Sequence, residues 1–157
     1  MKEPIFITQS DPILKTLHFQ PYRSAEERRV ERFLPKKNEP QTLEVLTPWG
    51  GELTAKKGDY LVSDLHKPED RWPVDAEIFE HTYVITRPGF GVKSAVTLLV
   101  PLTEITEGDQ DQQVTVMTME GAETVRAGDF FLAKGIKGEI WTYPAHKKNS
   151  SLTLVEE

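Results

Sequence analysis

The chain has 157 residues, 38% hydrophobic and 28% charged, with a formal net charge of -6. That balance suits one globular domain or two small fused units and argues against a broad nucleic-acid footprint, which needs clustered Lys and Arg to displace counterions from phosphates. No cysteine is present, so disulfide frameworks, thiolate metal sites and cysteine nucleophiles are excluded.

The first stretch, "MKEPIFITQSDPILK", lacks a continuous apolar core of signal-peptide length, and the longest apolar run, "LLVPL", is too short to span a bilayer. The expectation is a soluble, cytoplasmic protein with no membrane partner. Residues 1–42 read as an N-terminal arm. Within it, Ser24 and Glu27 form a capping box, Val30, Phe33 and Leu34 share one helical face, and Pro35 closes the run, which predicts a short helix over 25–34. The competing reading is a strand over "RVERFLP", because "AVTLLVPL", in the corresponding place further along, is plainly strand-like.

Residues 43–86 and 114–157 read as two degenerate copies of one β meander, joined by a connecting segment over 87–113. Thr47 falls on Thr118 at an offset of 71 residues; Gly51, Thr54, Lys56, Gly58, Asp59 and Tyr60 fall on Gly121, Thr124, Arg126, Gly128, Asp129 and Phe130 at 70. Trp72 then matches Trp141 at 69, and at that offset Tyr83 and Ile85 fall on Leu152 and Leu154. In each copy "TLEVLT" or "QVTVMT" alternates with period two, a glycine turn follows, and a Gly-Asp turn leads into the β-prone "YLV" or "FFLA". After Trp72, Pro73 and the following acidic residues suit a first helical turn with Ile78 and Phe79 facing inward. Only the first copy carries that segment. The expected fold is therefore mainly β, with α+β as the alternative: two meander repeats packed as one compact pseudo-symmetric unit, with one or two short helices.

"GDYLV" followed by "RWPVDAEIFEHTY" resembles the PGDYG-type module of small bacterial and phage proteins. The matching residues are Gly58, Asp59, Tyr60, Trp72, Pro73, Ile78, Phe79, Thr82 and Tyr83; Lys57 stands where that family often has proline, and Leu61 where the pattern has glycine. The resemblance covers about residues 43–86. It implies a compact module and supplies no reaction or catalytic residue.

Several patterns are candidates for chemistry. A Gly-Asp turn is first an architectural device, because glycine takes positive φ and an aspartate carboxylate accepts main-chain N–H bonds. Its functional version makes Asp59 a general base or ligand anchor beside Tyr60. "DLHKPEDRW" puts Asp64, His66, Glu69 and Asp70 within seven residues, a set able to hold a divalent ion if the loop folded back; a solvated loop is the simpler reading. The four histidines, 18, 66, 81 and 146, are too dispersed for a metal motif. "RPGFGVK" lacks the glycine spacing of a phosphate loop, and "EGDQDQQ" lacks the later residues of a calcium loop. The aromatics Trp49, Tyr60, Trp72, Phe79, Tyr83 and Trp141 are expected around the turns, as core or as the wall of a stacking site.

The composite expectation is a binding module for a small ligand or a protein, without catalysis, cofactor or metal, and with nucleic acid an unlikely partner. Its expected ligand-contacting residues are Asp59, Tyr60, Trp72, Phe79 and His81. The alternatives are a small hydrolase-like enzyme using Asp59 or Asp64 with His66 or His81, and a barrel-type nucleic-acid adaptor.

Overall fold

A computed structural model describes residues 3–24, 26–147 and 152–155. The chain is mainly β. It divides into two compact units: a continuous unit, residues 25–95, and a split unit made of residues 1–24 with 96–157. Among the described residues no helix is long and apolar enough to cross a membrane.

In chain order the strands are β1 (Ile5–Ile7), β2 (Gln20–Ser24), β3 (Glu27–Arg32), β4 (Thr42–Leu46), β5 (Glu52–Lys56), β6 (Tyr60–Ser63) and β7 (Arg71–Val74). After helix α1 (Ala76–Thr82) come β8 (Tyr83–Arg87), β9 (Phe90–Lys93), β10 (Thr97–Pro101), β11 (Gln113–Thr118), β12 (Gly121–Arg126), β13 (Phe130–Lys134), β14 (Ile140–Pro144) and β15 (Leu152–Leu154). The continuous unit holds a five-stranded sheet, β7-β6-β3-β9-β8, and the hairpin β4-β5. The split unit holds β14-β13-β10-β2-β15 and a three-stranded sheet, β1-β11-β12, in which β1 runs parallel to β11.

The two five-stranded sheets share one order and one register. Val30 pairs with Val62 and, 70 positions on, Val100 pairs with Leu132; Tyr60 pairs with Val74, and Phe130 with Pro144. Arg28 pairs with Gly91 and Leu98 with Pro21; Val84 pairs with Val92 and Leu154 with Tyr22, again 70 apart. Only β4 departs, lying 71 residues before its counterpart β11 because the second hairpin has the shorter turn.

This register corrects two readings. Trp72 pairs with Val62 and Trp141 with Ala133. The position matching Trp72 is therefore Thr142, and Trp141 matches Arg71. Adjacent strand residues point to opposite faces, so the two tryptophans are not counterparts. For the same reason Val84, not Ile85, corresponds to Leu154. The strand pairing stays at 70 through this segment and contains no slip to 69.

The predicted helix over 25–34 is also overturned: residues 27–32 form β3, the middle strand of its sheet. The capping-box pattern is real, but β6 and β9 hydrogen-bond to β3 on both sides, and that tertiary pairing outweighs a local helical preference of a few tenths of a kcal/mol per residue. The competing strand reading holds for residues 29–32 and not for 33–35, which lie beyond the end of β3. Residues 1–42 are no arm, since they supply strands to both units, and 87–113 supplies β9 and β10, which are interior strands. The expected helix after Trp72 is present as α1 with Ile78 and Phe79 buried, although Pro73 belongs to β7.

The alternating strands place their apolar sets as period two requires. Val114, Val116, Val100 and Leu132 are fully buried in the split unit, where Ile7, Leu14, Leu102, Ile105, Val125, Ala127 and Ile140 complete the main cluster. A second cluster joins Tyr22, Leu99 and Ala133 to Phe131, Trp141 and Tyr143. In the continuous unit Val45, Ala55 and Leu61 pack with Phe33 and Leu43.

One charged clasp ties the middle strand to the edge strand. Glu27 accepts hydrogen bonds from Thr86 Oγ1 at 2.6 Å and Arg87 Nη2 at 2.9 Å. The Arg87 guanidinium, then the Thr86 hydroxyl, hold its carboxyl below the usual value of 4.5. A depressed folded-state pKa contributes stability that is present above the unfolded value and lost as pH falls through the folded one. The urea midpoint is therefore expected to fall as pH drops below about 4.5, and Glu27→Gln should flatten part of that limb. A Glu27→Gln profile parallel to wild type from pH 6 to 3 would count against the clasp.

Candidate functional site

A constellation of polar and aromatic side chains in the continuous unit surrounds the bend between β5 and β6. Gly58 sits at φ +97°, a conformation L side chains rarely adopt, so this position requires glycine on backbone grounds alone. Three main-chain hydrogen bonds tie the bend to the 33–41 loop. Gly58 N–H donates to Phe33 O at 2.8 Å, Phe33 N–H to Asp59 O at 2.8 Å, and Lys57 N–H to Gln41 O at 3.0 Å.

Asp59 is 1% exposed. Its Oδ2 accepts from Lys56 N–H at 3.0 Å and its Oδ1 from Lys56 Nζ at 3.2 Å. Lys56 Nζ also reaches Asp75 Oδ1 at 3.4 Å, while Asp75 Oδ2 caps α1 by accepting from Ile78 N–H at 3.2 Å. Burial alone pulls the Lys56 ammonium down; hydrogen bonding and charge from Asp59, joined by Asp75, outweigh it and leave the pKa above 10.5. The chain Asp59–Lys56–Asp75 thus couples the bend to the start of the helix.

An aromatic stack adjoins this chain. Phe79 lies 3.8 Å from Tyr60 and 4.5 Å from Tyr83, centroid to centroid, with planes within 12° of parallel. The Arg32 guanidinium sits 5.3 Å over the Tyr60 ring and donates from Nε to Gly58 O at 3.3 Å. Tyr60 Oη is 3.4 Å from Glu80 Oε1. Phe79 is 3% exposed, while Tyr60 and Tyr83 on either side of it are half-buried.

The five expected contact residues therefore separate. Asp59, Tyr60 and Phe79 come together at the bend. Trp72 belongs to a different cluster, 6.2 Å from Trp49 and beneath the Arg28 guanidinium at 5.5 Å. Arg28 is itself only 8% exposed and pairs with Glu26 at 3.2 Å and Asp64 at 3.4 Å. His81 is exposed on the last turn of α1.

The other candidate loops are structural turns. Asp64 Oδ1 accepts from His66 N–H at 2.9 Å and Lys67 N–H at 3.2 Å, an Asx turn. Among the described residues no group of three acidic or histidine side chains is placed to hold a metal ion. "RPGFGVK" makes the turn between β8 and β9, with Gly89 at φ +82°. The second Gly-Asp bend is built differently: Gly128 is pressed against Gln110, and Asp129, 59% exposed at its side chain, pairs with Arg126 at 2.9 Å. In the split unit an open hollow of about 490 Å³ is lined by Thr8, Gln9, Ser10, Met117, Met119 and Ile140, none of them an expected site residue.

Residue patterns understated the cations. Arg32, Lys36, Lys37, Lys56 and Lys57 are all exposed, and the contacts of Phe33 and Gln41 bring the 33–41 loop against the bend. Among the described residues, no ion pair involves the ammonium groups of Lys36, Lys37 or Lys57. Asp59 and Asp75 pair with Lys56, and Glu39 accepts from the Lys36 N–H at 2.8 Å. The legible signal was the pair of Lys-Lys steps, "PKKNE" and "AKKGD", separated by one hairpin.

Comparison with protein-family models, characterised proteins and solved structures gives no match for this chain.

Proposed function

We propose that the chain is a binding protein without catalysis, and that the cationic rim around the Gly58 bend takes up an acidic segment of a partner protein. The observation that carries this reading is the set of exposed ammonium groups, Lys36, Lys37 and Lys57, beside a carboxylate that is buried and already engaged. The bend that carries Lys57 is bonded through Gln41 O and Phe33 O to the loop that carries Lys36 and Lys37. The attraction is local: on a chain of net charge -6, it acts within about 8 Å at physiological salt. A hydrolase-like reading draws less support, because Asp59 and Asp64 spend their oxygens on main-chain amides and structural cations, while His66 and His81 are exposed.

The test is fluorescence anisotropy with a labelled ten-residue Glu/Asp peptide. Binding is expected to weaken steeply between 50 and 200 mM salt, and the triple variant Lys36→Glu, Lys37→Glu, Lys57→Glu is expected to lower affinity by about tenfold or more with an unchanged melting temperature. Equal binding by wild type and the triple variant would refute the reading. Tighter binding to a single-stranded oligonucleotide of equal charge would replace it with the nucleic-acid adaptor.

A further inference from the structure

We infer that the fold is a strand-exchanging pair of one 70-residue module joined end to end, so that the partner this module is shaped to bind is a second copy of itself. The inference is independent of the acidic-partner reading.

Its first support is register. Two sheets of five strands keep one order and one pairing at a constant separation of 70 residues. Hairpin closure repeats as well: Thr47 Oγ1 donates to Gly51 O at 3.0 Å, and Thr118 Oγ1 to Gly121 O at 2.6 Å. Hydroxyls in matching places thus perform the same bond.

The second support is where each module sends its first strand. β2 leads directly into β3, yet it pairs with β10 and β15; β9 leads directly into β10, yet it pairs with β3 and β8. Each half donates a strand to the sheet of the other. Within one module taken alone, β2 and β8 would have no neighbour at all, and β3 would bare one edge. Unpaired strand edges template pairing with another chain, and reciprocal exchange between identical units closes that defect without any new contact type. Joining the two copies converts the association into an intramolecular one. β1 and the short 3-10 turn at Pro12–Thr16 precede the first copy and lie outside this scheme.

The experiment cuts the intact protein. A protease site placed in the exposed turn at residues 88–89 divides the folded chain into 1–88 and 89–157, followed by native mass spectrometry. The two fragments are expected to stay together as one particle until urea is added. When the nicked protein is unfolded and diluted with either fragment in excess, pairs of like fragments at twice the fragment mass are expected beside the mixed pair. Separation into monomers on nicking, or recovery of the mixed pair alone, would overturn the inference. If the inserted site blocks folding, the circular permutant 89–157 joined to 1–88 serves instead. It is expected to fold as a monomer with wild-type circular dichroism, and its failure to do so also counts against the inference.

Discussion

Phe79→Ala is expected to destabilise the continuous unit by about 3–5 kcal/mol, read as a drop in the urea midpoint with accompanying loss of near-ultraviolet circular dichroism. The size follows from what the ring holds. Helix α1 has seven residues, too few to be stable in water by propensity, so it persists through its Asp75 cap and its buried face of Ile78, Phe79 and Thr82. Phe79 also separates two tyrosine rings at 3.8 and 4.5 Å, and removing it leaves a cavity that Tyr60 and Tyr83 cannot fill without moving. Thr82 O accepts from Ser94 N–H at 2.7 Å, so loosening α1 also loosens the chain after β9. Phe79→Leu, which keeps most of the volume, should cost under about 1.5 kcal/mol. A shift below about 1 kcal/mol for the alanine variant would mean that the stack is not what anchors the helix.

Asp59→Ala is expected to cost about 2–3 kcal/mol, whereas Asp129→Ala, the same substitution in the matching motif, should change stability by less than about 0.5 kcal/mol. The reason is burial. Asp59 is 1% exposed and satisfies the Lys56 N–H and Nζ; its loss leaves a donor unmet and a cation without its nearer partner. Asp129 is a solvent-facing carboxylate whose partner, Arg126, is also held by Asp111 at 2.8 Å. Equal losses from the two substitutions would contradict the different burial of the two bends. Parallel urea titrations settle it, and Asp59→Asn adds a check. The amide retains one acceptor for the main-chain amide, so its cost should fall between wild type and alanine.

Much of this protein was legible in its residues, because strand signals are local. Period-two alternation in "QVTVMT" and "TLEVL", the glycine turns and the Gly-Asp entries mark strands that are present, and the α1 segment carries its own cap and apolar face. The meaning of Asp59 was half legible: aspartate after glycine indicates a carboxylate on main-chain amides, which holds at residue 59 and gives way at residue 129 to an exposed ion pair. Composition and spacing cannot tell a buried carboxylate from an exposed one. That depends on whether a helix and a loop are folded over the bend.

Sequence by itself determined the strand-rich class, the recurrence of the turn motif and the inward face of α1, all of which follow from side-chain period and backbone preference within a few residues. Tertiary structure alone decided that β3 is a strand, that β2 pairs with β10 and β15 and β9 with β3 instead of the strands they lead into, and that the 33–41 loop lies against the Gly58 bend. Those outcomes rest on hydrogen bonds and packing between segments far apart along the chain. In β3 such bonds on both edges outweighed a helix signal written plainly in the local residues.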